Sequence, residues 1–501
     1  MFKKVSVILG VVALGWFMAV SRVNASIPPA HIDISTNQAS YNIGDTLIEG
    51  VHLWNNTNQT QVVDIKNWVE CPAPGGLISI YNLPAFQLPA NFNFQGNIFQ
   101  YTFGGVEPQG NYKLGARLLN NITGDNLSED FVPFTFGTMA KKEWTYLVYI
   151  AADNDLEDAG IEDFLEMAQV GSSDNVNIVV QFDRIPGYDS QYGNWTSTKR
   201  FHIQQDMTPT PANALADIGE ADMGDDQTLK DFVEWAMINY PANKYALVLW
   251  NHGGGILKKL GQEQAIKTVC IDVTNNSYLH YDEVETALSG KMMNLLGYDA
   301  CLMGMIEVAY ETKASSEVLA ASQEVEPWDG WPYDTILTDL VNNPGMDATF
   351  LGSITVKHYI DSYLGVEPFV TFSAVNTTLA LDNLATAVSN FAMAMIACGE
   401  WANIKAARLA TEDVGYPDLY DFGEEIYNRV TSPVVKSAVL ALGNAINNDV
   451  IAEAHYSGHP GAHGISIYFP TTGSSPDYAN TNFAVDTQWN EFLNAYDVHT
   501  K

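Results

Sequence analysis

The sequence predicts two folded domains: an all-β sandwich, followed by a larger α/β sandwich with a mostly parallel sheet. Three observations carry this. From His31 to about Gly137, short β-prone runs alternate with turn residues, and no helix-length periodic segment interrupts them. From Trp144 onward, apolar strand-like runs alternate with helical patterns, as layered α/β folds require. Within this larger domain a pair of apolar runs, Tyr245-Ala-Leu-Val-Leu-Trp250 and Leu295-Leu-Gly-Tyr298, each lead directly into residues capable of chemistry.

The chain opens with a short positive head, Met1-Phe-Lys-Lys4. An apolar stretch from Val5 to Val20 follows, and then the small residues of Val23-Asn-Ala25. That is the order of a cleaved secretory signal peptide, assigned to 1–25. An uncleaved anchor is the alternative, and the cleavage-type residues weigh against it. No other segment reads as long and apolar enough to cross a bilayer, so the mature chain is expected to be soluble and exported. Of the 24 Lys and Arg, three (Lys3, Lys4 and Arg22) leave with the signal, so 21 remain against 59 acidic residues, a net charge near −38. Such a surface disfavours nucleic acid and anionic membranes as partners and would steer cationic substrates inward. Hydrophobic residues make up 47% of the 501, enough for a large core and for two or three domains.

Residues 26–137 carry the β-runs Ile32-Asp-Ile-Ser35, Thr46-Leu-Ile48, Val62-Val-Asp-Ile65 and Phe131-Val-Pro-Phe-Thr-Phe136. Asn- and Gly-rich turns punctuate them, which fits a sandwich of immunoglobulin type. Nothing there looks catalytic. Residues 138–143 read as a linker and 144–400 as the α/β core. Strands are expected at Trp144–Ala151, Asn175–Phe182, Val318–Ser322 and Phe369–Ala374. Helices are expected at Glu157–Ala168, Thr228–Ile238 with Thr228 as cap, Thr349–Ser362 and Leu379–Cys398. Residues 401–501 read as a mostly helical subdomain completing the core, with one more strand at Gly464–Phe469.

The run ending at Trp250 continues as Asn251-His252-Gly253-Gly254-Gly255, and the run ending at Tyr298 continues as Asp299-Ala300-Cys301. If the two strands are parallel neighbours, the 49 positions between His252 and Cys301 hold the necessary crossover, and both residues face the crevice at the strands' carboxyl ends. A thiol attacks a carbonyl as thiolate, and an imidazole beside it can take the proton and return it to the leaving amine. Taken singly, each would read as a structural residue. Together, beside glycines that admit a substrate backbone, they read as a Cys/His dyad. The other cysteines, Cys71, Cys270 and Cys398, allow at most one disulfide, and spacing does not say which.

Leu-Trp-Asn-His-Gly-Gly-Gly followed by Gly-Tyr-Asp-Ala-Cys-Leu-Met-Gly resembles the clostripain family of cysteine endopeptidases, grouped with caspases, legumain and gingipains. Tyr146-Leu-Val-Tyr-Ile-Ala-Ala-Asp-Asn-Asp-Leu-Glu157, Glu326-Pro-Trp-Asp-Gly-Trp-Pro-Tyr333 and Gly464-Ile-Ser-Ile-Tyr-Phe-Pro470 extend the resemblance over about residues 144 to 470. Ile256 departs from it, since an aromatic often follows the glycines. The resemblance implies a caspase-like sandwich with His252 and Cys301 as catalytic dyad and no required third member. It assigns the oxyanion to the backbone amides of Gly253 and Cys301. It also implies that Asp299, two residues before Cys301 and on the same strand face, receives an Arg or Lys side chain of the substrate. Asp329 is a second acidic candidate on the loop after the following strand. Single-chain synthesis followed by a cut between core strands is common in that family. Lys258, Lys259 and Lys267, or the linker pair Lys141-Lys142, are where such self-processing is expected.

Two other classes stand beside this reading: an exported adhesin or binding protein with an inactive peptidase domain, and a metal-dependent hydrolase. For the latter, His455, His459 and His463 recur at every fourth position, but Gly458, Pro460 and Gly461 argue against a helix. Asp153-Asn-Asp-Leu-Glu-Asp158 has calcium-binding residue types without the glycine and spacing of a helix-loop-helix calcium loop, and acids at a helix start account for it. No cofactor is read from the sequence, and a need for calcium is left open by it.

Overall fold

The computed structural model describes residues 30–72, 76–104, 107–137, 141–256 and 269–500. The expected signal peptide and the lysines Lys258, Lys259 and Lys267 lie outside these residues. The chain divides into two units at residue 140.

In the first unit, β1 (Ala30–Thr36), β3 (Thr46–Asn55) and β6 (Asn93–Thr102) form one sheet in the order β1-β3-β6. The second sheet runs β2 (Ser40–Tyr41), β8 (Asn126–Phe136), β7 (Gly110–Asn120), β4 (Gln61–Glu70), β5 (Leu77–Leu88). Alternate residues such as Ile32, Ile34, Val51, Leu53, Leu114, Leu118 and Phe134 fill the space between them, the period-two burial of a half-solvated strand. Among the described residues of this unit, the regular elements are all strands. Tyr112, at the start of β7, donates its hydroxyl to the carbonyl of Pro108 at 2.6 Å.

The second unit is built on β9 (Lys142–Ala152), β10 (Val176–Arg184), β11 (Thr198–His202), β12 (Ala216–Gly219), β13 (Ala242–Trp250), β16 (Met293–Asp299), β17 (Ser316–Ala321), β18 (Thr371–Asn376) and β21 (Val450–His455). They stand in the order β12-β11-β10-β9-β13-β16-β17-β18-β21. The five strands from β10 to β17 are parallel, and two strands at each edge are antiparallel. The expected mostly parallel sheet is thus parallel only in its centre. Two small hairpins, β14 (Val269–Asp272) with β15 (Ser277–Leu279) and β19 (Asp413–Val414) with β20 (Tyr416–Pro417), lie outside it.

Central strands are buried on both faces, which is why they read as unbroken apolar runs. Leu147, Tyr149, Leu247, Leu249, Leu296 and Tyr298 pack against α2 (Asp226–Asn239), α4 (Ile306–Thr312) and α7 (Leu379–Cys398). Tyr146, Val148, Ile150, Val248, Trp250 and Leu295 pack against α1 (Glu157–Val170), α5 (Tyr333–Asn342) and α6 (Ala348–Ser362). The result is a three-layer α/β/α sandwich.

Several boundaries differ from expectation. Lys142 and Glu143 belong to β9 rather than to a linker. The cap of α2 is Asp225, whose side chain accepts from the Gln227 amide, and Thr228 lies inside the helix. Gly464–Phe469 is buried but forms only two isolated bridges, from Ser466 to Met305 and to Asp418, and β21 takes the sheet edge instead. The 401–501 segment therefore belongs to the same layered unit and supplies one of its strands. Helix α7 is, contrary to expectation, long and apolar enough by composition to span a bilayer. Some 44% of its apolar window is buried, however, as in a core helix. All four cysteines are free.

Arg184 at the end of β10 and Glu157 at the start of α1 form an ion pair of 2.6 Å whose side chains are both 0% exposed. The Arg184 guanidinium also donates to the carbonyls of Asp189 and Gln191. Removing one partner strands a buried charge, so Arg184→Met should cost about 3–5 kcal/mol. A urea midpoint unchanged by that substitution would contradict this.

Candidate active site

The parallel pairing of β13 with β16 sets Trp250 beside Asp299, and one residue further the Asn251 amide donates to the Asp299 carbonyl at 3.1 Å. Asn251 then locks the strand ends together. Its side-chain amide donates to the carbonyls of Ala151 and Ile271, and its Oδ1 accepts from the Ile271 amide. His252 emerges from this clamp partly exposed, its Nε2 2.9 Å from Asp155 Oδ1. Asp155 lies three residues past β9, the strand on the other side of β13. Nothing local connects these residues across 97 positions of sequence, where the acidic run reads only as a helix start.

Cys301 lies in the turn just past β16 rather than within the strand. The following Leu302 has φ +65°, a left-handed conformation that costs a branched residue roughly 1–3 kcal/mol. Its amide donates to the Glu324 carbonyl. The Cys301 Sγ accepts the Glu326 amide at 3.3 Å and lies 3.9 Å from the Glu326 carbonyl. Burial raises the thiol's pKa, against the lowering effect of the Glu326 and Gly253 amides. The net shift favours the thiol over the thiolate, so a neighbouring base would help to activate the sulfur.

Gly253 shows most directly how closely the two strand ends meet. A Cβ there would lie 2.2 Å from the Cys301 carbonyl oxygen and 2.9 Å from its nitrogen. Gly253→Ala must push the His252 and Cys301 backbones apart. A displacement of about 1 Å at reacting groups costs on the order of a hundredfold, the expected fall in kcat/KM. A variant with unchanged kcat/KM would show that this contact does not set the site.

Asp299 is 5% exposed, beneath the 326–333 segment. Its Oδ2 accepts from the Tyr333 hydroxyl at 2.8 Å and from the Trp331 amide at 3.4 Å. The Trp331 ring fits because position 297 is glycine, where a Cβ would come within 2.6 Å of it. Burial pushes Asp299 up to about 6, with the Glu326 side chain, Tyr333 and the Trp331 amide acting the other way. Two further buried acids adjoin it. Asp163 accepts from the Trp250 indole at 2.6 Å, and its pKa is pushed well up by burial and then by Asp299. Glu326 is likewise pushed well up by burial and by Asp299. No sequence pattern singles out Asp163 or Glu326. Asp329, the second acidic candidate, is exposed on the same segment.

A cavity of about 410 Å³ adjoins this segment, lined by Glu324, Glu326, Glu367, Phe369 and His459. The histidines of 455–463 have separate partners. His455 pairs with Glu453, His459 bridges Glu324 and Glu412, and His463 pairs with Asp418. They do not converge on a shared metal position. Ile256 is buried, its amide near the Met305 sulfur.

A profile of the clostripain family matches residues 148–496, well over half of the chain. This chain belongs to the clostripain family. Clostripain of Hathewaya histolytica is 29% identical over 332 residues, covering 56% of this chain and 62% of that protein. The chain thus matches about three fifths of the length of that curated relative. Among solved structures, a secreted C11 cysteine protease from Bacteroides thetaiotaomicron in complex with an irreversible peptide inhibitor is 20% identical. Its TM-score is 0.53, over 70% of this chain and 99% of that one. An inactive zymogen C11 protease from Parabacteroides distasonis is 18% identical with a TM-score of 0.52, over 71% and 99%. At these identities the likeness is one of fold, and it agrees with the clostripain-family sandwich described above.

Proposed function

We propose that this chain is a secreted cysteine endopeptidase that hydrolyses peptide bonds after Arg or Lys, with Cys301 as nucleophile and His252 as acid/base. The observation that carries the reading is the meeting of the β13 and β16 ends, where Gly253 rests on the Cys301 backbone. The Cys301 sulfur gives up its proton to His252 and attacks the scissile carbonyl. The amides of Gly253 and Cys301 hold the oxyanion, and His252 returns the proton to the departing amine. Water then releases the acyl group from the sulfur. Asp155 holds the imidazole through Nε2. The buried carboxyl of Asp299 supports the preference for a basic side chain, and the exposed Asp329 is its rival for that role.

Export is supported by the residues of 1–25. The strand orders β1-β3-β6 and β2-β8-β7-β4-β5 support an immunoglobulin-type first unit, as does the Tyr112 hydroxyl bonded back to Pro108. Its role is that of an accessory domain. Self-processing after Lys258, Lys259 or Lys267 follows from the proposed specificity. Lys142 is the weaker site, because it is paired within β9 and its Nζ contacts the Ser173 carbonyl.

The test is hydrolysis of short peptide amides ending in Arg, Lys or a neutral residue, with and without a thiol alkylator. Basic amides should be cleaved and the alkylator should stop it. Activity that survives alkylation but not a chelator would assign the chain to metal-dependent hydrolysis instead, and a chain that cleaves none of them would end the reading.

A further inference from the structure

The cavity of about 410 Å³ lies on the side of Cys301 away from His252, walled by Glu324, Val325, Glu326, Glu367, Phe369 and His459. It is continuous with the sulfur, because the Glu326 amide reaches Cys301 Sγ and the Glu324 carbonyl accepts the Leu302 amide. The sheet runs β13-β16-β17-β18-β21 across this region. His252 follows β13 and Glu324 to Glu326 follow β17. Phe369 and His459 flank the paired ends of antiparallel β18 and β21 at the same edge. Phe369 is 54% exposed, and its ring is nonetheless held in place. A Cβ at position 458 would come within 2.5 Å of that ring, so glycine makes room for it, and the Gly458 amide donates to the Pro368 carbonyl at 2.9 Å. His459, which bridges Glu324 and Glu412, meets the ring edge-on at 5.6 Å between centroids. Glu367 accepts the Phe369 amide at 3.2 Å through Oε1, which sets a carboxylate beside the ring. Among the described residues neither Lys nor Arg lines this wall.

We propose that this cavity is a second substrate pocket, which takes an arginine side chain one or two residues before the basic residue received at Asp299. The assignment rests on the Cys301/His252 reading above. Because His252 returns the proton to the departing amine, the departing half of the substrate lies toward β13 and the retained acyl half runs toward β17 and β18. Strands about 4.8 Å apart put those ends roughly 5–10 Å from β16, the span of about two to three residues of extended chain. A guanidinium fits the wall better than an ammonium does. Its plane stacks on an aromatic ring while its edge meets a carboxylate in two parallel hydrogen bonds. Phe369 supplies the ring and Glu367 the carboxylate. The preferred substrates are therefore chains with closely spaced basic residues, cut after the last of them.

The test uses peptide amides with lysine at the scissile position and, at either of the positions before it, arginine or citrulline, which keeps the shape of arginine and loses its charge. In the full parent chain, arginine at one of those positions should raise kcat/KM about tenfold over citrulline, the combined scale of a half-exposed ion pair and a cation–π contact. Lysine there should gain less. Glu367→Gln should bring the arginine-to-citrulline ratio close to one. Phe369→Leu should lower it severalfold and remove the advantage of arginine over lysine. Each readout is a ratio within one protein, so a partly unfolded preparation lowers every rate and leaves the ratio as it was. Citrulline peptides cut as fast as arginine peptides by the parent would overturn the second pocket and leave the cysteine peptidase reading standing. So would an arginine advantage undiminished in both variants. A parent that cuts none of these peptides would overturn both.

Discussion

Replacing Cys301 by alanine is expected to abolish hydrolysis of basic peptide amides while leaving the fold intact. The sulfur sits in a turn at the crevice edge, and its polar contacts are weak ones to backbone groups, among them those of Glu326. Losing them should change stability by no more than about 1 kcal/mol. Losing the nucleophile removes the covalent route altogether, a fall of at least about 10⁴-fold in kcat. His252→Ala should come close to the same loss, because burial disfavours the thiolate and a base is needed to form it. The pair should be non-additive, with the double variant no slower than Cys301→Ala. Either single variant retaining a rate near that of the parent would remove that residue from the chemistry.

Asp299→Asn is expected to cut kcat/KM for Arg and Lys substrates about a hundredfold, the scale of losing one partner of a buried charge pair. Neutral substrates should change far less. Stability should move in the opposite direction. Burial raises Asp299 from 3.8 to about 6 in the folded chain, so the folded state binds its proton more tightly than the unfolded chain does. That contribution is full below 3.8 and is lost as pH rises through about 6, so at neutral pH the ionised carboxylate, with Asp163 and Glu326 beside it, is a net cost. The asparagine variant should therefore melt no lower than the parent at about pH 7. In the parent, the preference for basic substrates should fade as pH falls through about 6, and the variant should lack that limb. An unchanged preference would move the role to Asp329.

The strand ends that carry the proposed dyad were legible because of burial on both sheet faces. A strand with no solvent side shows as a continuous apolar run, so Tyr245–Trp250 and Leu295–Tyr298 announced both themselves and their carboxyl ends, and the glycines marked the turns. The same logic misled at Gly464–Phe469, which is equally apolar but packs without a ladder. The true edge strand, Val450–His455, is half-buried and mixes polar with small residues, so it passed for a stretch of helix. Contacts that cross the fold left no local trace. Asp155 beside His252 and the acids Asp153, Asp183, Glu220 and Asp272 at the β14 end join separate strand ends, and Asp163 from α1 and Glu326 from the loop after β17 meet at Asp299. Only the register of the sheet brings them together.

Covalent capture tests whether Cys301 is the nucleophile. The full chain would be incubated with a lysine-terminated peptide bearing a thiol-reactive ketone, and the adduct located by tandem mass spectrometry. All four cysteines are free, so each is available for comparison. One adduct per chain is expected, on Cys301, forming in step with loss of activity and strongly slowed in His252→Ala and Asp299→Asn. Inactivation accompanied by labelling of Cys71, Cys270 or Cys398, with Cys301 unmodified, would contradict it.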